Sequence, residues 1–239
     1  MSIGWKEFWN REHRIYVSDA HTRAHYAALA HDVAEHLPQK RPLTLLDWGC
    51  GEALLAPTLS ETGVSVLLYD PVRRAYERAK ARYEGRESIT VLDDAEYESL
   101  KPGSVDVILI HSVLQYLSKP DFEAVLPKLR TLLASDGVLI LGDLVPPDLS
   151  MWGDASDLLL AGMRHGFFFA AVGGLFSTLF SDYRGIRKAN GFSMYSAPEM
   201  VTLLAKHGLL AQKEQRNLGL CYHRVLVTAR KTERAEPVY

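Results

Sequence analysis

Asp47, Gly49 and Gly51 stand together in Asp47-Trp48-Gly49-Cys50-Gly51-Glu52-Ala53, directly after the apolar run Leu43–Leu46. Glycines at that spacing let the chain turn sharply and bring bare backbone close to a ligand. The carboxylate ahead of the first glycine narrows the choice of ligand. It repels a pyrophosphate and suits a molecule carrying an ammonium or sulfonium charge. Asp70 closes the next apolar run, and an ionised carboxylate there can accept two hydrogen bonds at once. Asp93-Asp94-Ala95 follows a third run, and a fourth, Val105–Ile110, delivers His111, which can take or give a proton near neutral pH. A lone Gly-x-Gly is common in turns. The acids that close this run and the next two make the pattern specific.

Other reactive side chains read as structural. His21 and His25 stand one helical turn apart, a spacing able to share a zinc, but no His-Glu-x-x-His or Cys-x-x-Cys accompanies them. They read as a solvated helix face, and no metal is expected. Cys50 lies inside the glycine turn without an obvious histidine partner, which argues against a nucleophile. Arg224, Arg230, Lys231 and Arg234 read as solvated cations, without the aromatic interleaving of a nucleic-acid groove. A nicotinamide dinucleotide site wants G-x-G-x-x-G/A, and the last of those positions is Leu54.

Strands alternating with helices must position these groups. Strands are predicted at Leu43–Leu46, Val64–Tyr69, Ser88–Leu92, Val105–Ile110 and Val138–Leu141, the last entered through an Asp136-Gly137 turn. Helices are predicted from Ala20 to Leu37 behind a Ser18-Asp19 cap, from Val72 to Tyr83, after a cap at Asp121, and from Pro198 to His207. Pro127 is a misfit inside the third of these. A short strand at Leu209–Gln212 and a final one at Tyr222–Ala229 complete the chain, with a turn at Asn217–Gly219 between them. Such alternation argues an α/β, doubly wound parallel sheet that binds ligands beyond the carboxyl ends of its strands. Asp47, Asp70, Asp94 and His111 then share one rim.

Residues 1–40 read as a helical N-terminal extension, 41–147 as the binding core, 148–195 as a helical cap or insertion, 196–230 as the rest of the core, and 231–239 as a tail. The insertion is largely apolar, but Arg164 and His165 interrupt it, which argues against a membrane span. It reads equally as a pair of helices buried on the core or a dimer partner and as an apolar acceptor pocket. In the second case Tyr183 and Tyr195 would orient a polar group, and Phe167–Phe169 would offer reversible membrane contact. A net charge of −2 gives no general attraction to nucleic acid or an anionic membrane. Two cysteines make no disulfide framework, and the N-terminus shows no basic region followed by an apolar core. A cytoplasmic protein of one domain is expected.

The stretch from Leu45 to Ala53, with Asp70, Asp94-Ala95 and the run from Val105 to Leu117, resembles the class I S-adenosylmethionine (SAM)-dependent methyltransferases of the small-molecule and lipid type. The resemblance covers roughly residues 43–142, by strand and turn signals. It implies a Rossmann-like, seven-stranded, mainly parallel sheet. It implies that Asp47, Gly49, Cys50 and Gly51 lie against the methionine part of SAM, Asp70-Pro71 on the ribose, and Asp94-Ala95 on the adenine, with Asp93 as the fallback acid. His111 would lie beside the reactive methionine portion of SAM, and Tyr16 would be a lid residue. The implied reaction moves the sulfonium methyl to a nucleophilic acceptor and leaves S-adenosylhomocysteine (SAH). The apolar insertion points to a small, apolar acceptor (a lipid, isoprenoid or aromatic metabolite), with oxygen, nitrogen and carbon all open as the methylated atom. His111 is the first candidate base, followed by Tyr116 and Tyr183. One departure is Ala53, where many members carry another glycine. The alternative is a SAM-binding scaffold without turnover, and the resemblance leaves monomer and homodimer both open.

Overall fold

Near-continuous apolar runs become strands buried on both faces, as a covered parallel sheet requires. The computed structural model describes residues 18–40, 42–149, 151–168 and 193–232; Tyr16 and Tyr183 lie outside the described residues. In chain order the elements are α1 (Asp19–Glu35), β1 (Leu43–Trp48), α2 (Ala56–Ser60), β2 (Val64–Tyr69), α3 (Arg73–Tyr83), β3 (Ile89–Leu92), α4 (Asp94–Glu98) and β4 (Val105–His111). A 3-10 turn at Leu114–Tyr116 leads to α5 (Lys119–Leu132), β5 (Leu133–Leu144), α6 (Met151–His165), α7 (Ala197–Lys206), β6 (Leu209–Lys213) and β7 (Val225–Lys231).

The seven strands form one sheet in the order β3-β2-β1-β4-β5-β7-β6. Strands β1 to β5 pair in parallel, and β7 runs antiparallel between β5 and β6. This is the doubly wound, mainly parallel sheet that the alternation predicts. The strand order reverses at β1, which pairs with both β2 and β4. Alternate residues of β1 feed two separate cores. Leu46 and Trp48 pack with Phe122, Leu126 and Leu129 of α5 and with Met200 and Leu204 of α7. Leu43 and Leu45 pack on the other face with Leu29 and Val33 of α1, Leu59 of α2, and Ala79 and Tyr83 of α3. Each fully buried leucine contributes about 2 kcal/mol of apolar transfer, so the central strands form the rigid part on which loops can be aimed.

Element ends differ from the sequence reading where side chains intervene. Ser118, not Asp121, caps α5: its Oγ accepts from the Asp121 N–H at 3.2 Å. Pro120 in the first turn is already shaped for a helix start, so α5 begins ahead of Asp121. The helix continues through Pro127 with Phe122, Leu126 and Leu129 buried. Strand β5 begins at Leu133, but its pairing with β4 jumps from Leu133 to Val138, so Asp136-Gly137 is looped out of the ladder. Strand β7 starts at Val225 instead of Tyr222 because the preceding residues bond to α1, α5's leading turn and α6, as described below. Among the described residues no helix is long and apolar enough to cross a membrane.

Candidate active site

The glycine turn after β1 is fastened from three sides. Gly49 N donates to Tyr69 O at 2.7 Å and Cys50 N to the same oxygen at 3.2 Å, which ties the turn to the end of β2. Tyr83 of α3 donates its hydroxyl to Ala53 O at 2.7 Å, and Arg78 and Arg82 pair with Glu52. Gly49, Gly51 and Ala53 all have positive φ, at 77°, 54° and 53°. A Cβ on Gly49 would lie 2.6 Å from Val113 Cγ2, so only glycine fits. One on Gly51 would meet nothing within 4 Å, which makes that bare backbone the wall of a cradle. Ala53 keeps the left-handed conformation despite its Cβ, at a cost of about 1 kcal/mol.

Asp70 is held at the rim by two backbone donors, Gly51 N to Oδ2 at 2.9 Å and Val72 N to Oδ1 at 2.8 Å. Each carboxylate oxygen can accept a second bond, which suits a pair of neighbouring hydroxyls. Pro71 follows it at the same strand end. Asp47 is 8% exposed. Burial first, and the Asp70 charge second, push its carboxyl up to about 7. A cation placed between Asp47 and Asp70 would relieve both effects. Burial and the same two acids push the Cys50 thiol well above its ordinary value, which leaves it unreactive. The two acids after β3 have separate tasks. Asp93 caps α4 by accepting from Glu96 N at 2.8 Å, while Glu96 accepts from Asp93 N at 2.8 Å. Asp94 accepts from the Tyr69 hydroxyl at 2.9 Å, which brings it, with Ala95 behind it in the first turn of α4, to the rim where β2 ends.

His111 ends β4 opposite Gly142 of β5. Both its ring nitrogens are buried with no hydrogen-bond partner among the described residues. Burial lowers its pKa; the Asp143 charge opposes that shift and Arg224 adds to it. Tyr116 lies half-buried in the 3-10 turn beyond. Next to His111, β5 bulges: its register with β7 slips between Leu141 and Leu144, and Asp143 adopts φ 63°. Bulges beside sites re-aim side chains. Here the Asp143 carboxylate accepts from Ser112 Oγ at 2.5 Å, its N–H donates to Asn217 Oδ1 at 2.9 Å, and Arg224 Nη1 lies 3.8 Å away. Arg224 also donates to Gln115 Oε1 at 2.9 Å. Its side chain is 13% exposed, so it is a buried partner of this network and not a solvated cation.

The segment from Arg216 to Arg224 binds the site to its covering elements. Asp32 of α1 accepts from Gly219 N at 2.8 Å and from Arg216 Nη2 at 2.8 Å. Asp157 of α6 accepts from His223 N at 3.0 Å and faces His223 Nδ1 at 2.8 Å. Leu158 and Ala161 of α6 pack with Leu220 and with Ala20, Ala24 and Ala28 of α1. The solvated histidine face is therefore corrected. The His21 ring stacks on Phe167 at 4.7 Å between centroids, and the His25 ring lies 5.9 Å from that of His111. Burial, then the neighbouring His111, lowers His25 to about 3. Phe167 is thus turned inward onto α1, whereas Phe168 is exposed and Phe169 lies outside the described residues. Tyr195 does not line the site either: it is buried against Phe122, with Lys119 over its ring.

Asp47, Gly49, Gly51, Asp70 and Asp94 therefore converge where β1, β2 and β3 end, with His111 one strand over. Sequence reasoning missed His25, Ser112, Asp143, Asn217 and Arg224. Among the described residues no cluster of His, Cys, Asp and Glu could hold a metal.

A methyltransferase domain model matches residues 46–141. The fold is that of the class I SAM-dependent methyltransferases. Among solved structures, mitomycin 7-O-methyltransferase aligns at 21% identity over 85% of this chain and 53% of its own, with a TM-score of 0.58. This chain thus spans about half the length of that protein. A Haloferax volcanii methyltransferase solved with its Trm112 activator aligns at 12% identity, covering 88% of this chain and 91% of its own, with a TM-score of 0.58. The 1,6-didemethyltoxoflavin-N1-methyltransferase of Burkholderia thailandensis, solved with SAH, aligns at 17% over 90% and 79%, with a TM-score of 0.55. No curated protein matches the sequence significantly. The methyltransferase family uses SAM, and the matched residues contain the Asp47–Gly51 turn, Asp70, Asp94 and His111.

Proposed function

We propose that this protein moves the methyl group of SAM to a small, largely apolar acceptor. One observation carries the reading: a half-neutralised acid, Asp47, beside a bare-backbone cradle at Gly51 and an anchored carboxylate at Asp70. That set fits SAM, because a sulfonium and an ammonium suit Asp47, vicinal ribose hydroxyls suit Asp70, and an adenine amino group suits Asp94. Bound SAM supplies a methyl group on a positively charged sulfur.

The chain's own residues then orient and enclose. The glycine turn admits the ligand backbone-close, α1 and α6 cover the rim and exclude water, and His111 stands where an acceptor's proton would have to leave. Alignment of this kind supplies much of the rate without a dedicated residue, so His111 serves only an acceptor that must lose a proton. Cytoplasmic placement belongs to the same reading, since SAM is an intracellular metabolite.

Calorimetric titration with SAM and SAH tests this. Wild-type protein is expected to bind both, and Asp70→Ala to bind neither by at least a hundredfold, with circular dichroism reporting that the variant is folded. Asp70→Asn keeps one acceptor oxygen and should lose less. Absence of binding to the wild type overturns the reading.

A further inference from the structure

Two histidines from opposite parts of the chain meet above the sheet. His25 comes from α1 and His111 from the end of β4, and their rings lie 5.9 Å apart at an angle of 37°. Bare backbone closes in on each ring. A Cβ on Gly142 would come 2.7 Å from His111 Nδ1, and one on Gly219 would come 3.6 Å from His25 Cε1. Neither ring can swing away on those sides. His111 meanwhile buries both nitrogens without a hydrogen-bond partner among the described residues. An unpaired buried polar group costs about 1–3 kcal/mol, and a site tolerates that cost where a ligand completes the bond.

We propose that His25 and His111 form one acceptor-binding pair, which selects an uncharged acceptor carrying an acidic hydroxyl, phenolic or enolic, and that His111 receives its proton. This rests on the methyl-transfer reading above. The surrounding charges set the selectivity. Asp143 faces both histidines, Arg224 offsets it at 3.8 Å, and His21 adjoins His25. The Asp143 carboxylate is already engaged by Ser112 Oγ, by Asn217 Nδ2 at 3.5 Å and by Arg224, so it offers little to an ammonium. Arg224 is committed to Asp143 and Gln115, so it offers little to a carboxylate or phosphate. Both imidazoles stay neutral, because burial lowers their pKa.

A weakened base also restricts which hydroxyl can react. Proton transfer is most effective when donor and acceptor are not far apart in pKa. A phenol at about 10 lies much closer to an imidazole than an alcohol near water's value of about 15.7, so it is the easier acid for this base. In the step itself the acceptor oxygen bonds the methyl carbon, and the methyl–sulfur bond breaks with its electron pair remaining on sulfur. The hydroxyl proton goes to the ring nitrogen of His111 and later to water.

The test uses one skeleton with three polar groups: 2-naphthol, 2-naphthalenemethanol and 2-naphthoate, titrated calorimetrically into the full-length protein saturated with SAH. The naphthol should bind at least tenfold tighter than either companion, and with SAM it alone should be methylated. His25→Gln should weaken naphthol binding about tenfold while SAH binding stays intact. His25→Phe, which keeps a ring against Tyr26, should lose as much. His111→Gln should weaken the naphthol similarly and abolish its methylation. Preference for the alcohol or the carboxylate, no binding of any probe, or naphthol binding indifferent to His25 overturns the pair while SAH still binds. Failure of SAH to bind removes the methyl-transfer reading itself.

Discussion

Replacing Asp47 by asparagine should stabilise the ligand-free protein at pH 8 and weaken its hold on SAM. The Asp47 carboxyl, ordinarily near 3.8, is raised to about 7 by burial and by Asp70. Between those values the folded chain keeps a proton that the unfolded chain has released, so stability falls as pH rises and levels off above 7. Each pH unit in that window costs about 1.4 kcal/mol, which sums to roughly 4 kcal/mol for the ionised group. Asparagine has nearly the same shape without the charge, but its amide carries a desolvation cost of its own, so a net gain of about 2 kcal/mol is expected at pH 8. For a chain of this size that raises the melting temperature by about 4–8 °C. At pH 5, where Asp47 holds its proton, the substitution should change little. SAM affinity should run the other way. If SAM requires the ionised carboxylate, wild-type binding weakens about tenfold from pH 8 to pH 6, and the asparagine variant shows a flat profile at the weaker level. Thermal unfolding at both pH values and calorimetry across the range check this. An equal stability change at pH 5 and pH 8, or pH-independent SAM binding by the wild type, would refute the reasoning.

Gly49→Ala should cost about 2–4 kcal/mol in chemical denaturation, since it combines a positive φ of 77° with a Cβ 2.6 Å from Val113 Cγ2. Adding Val113→Ala should recover the steric part and leave about 1–2 kcal/mol of backbone strain. Asp32→Ala should lower stability by about 2 kcal/mol, because it leaves the Gly219 N–H buried without its acceptor. It should also raise amide exchange across α1 while the sheet stays protected.

Groups in the sequence were legible where position along a strand decides their role. Asp47, Asp70 and Asp94 follow apolar runs that can only be strands, and a strand end in a parallel sheet is a rim. Asp143 obeys the same rule, yet its orientation depends on a bulge created by pairing with β7, which no local pattern announces. Arg224 is close in sequence to the charged tail, and only the bonds that hold residues 216–224 out of β7 bury it. His25 did carry a signal. It lies one helical turn before Leu29 and on the face that also buries Asp32 and Val33. Ser118 and Asp121 are both good cap residues, and Pro120 between them decides where α5 begins. The 3-10 turn carrying Tyr116 and the capping task of Asp93 likewise depend on partners three residues away.

The bonds from Asp32 to Arg216 and Gly219 have a consequence for how the chain is made. They join positions 184 and 187 residues apart, so α1 finds its polar anchor only after all the residues between have been made. Contacts so distant along a chain form late, after the loop-closure entropy of everything between has been met. On the ribosome, α1 can pack Leu29 and Val33 on β1, α2 and α3 while Asp32 still lacks its partners. The binding cradle therefore matures before its cover is fastened, and a nascent chain stopped ahead of residue 216 would hold α1 by its apolar face alone, with the Asp32 carboxylate left to solvent.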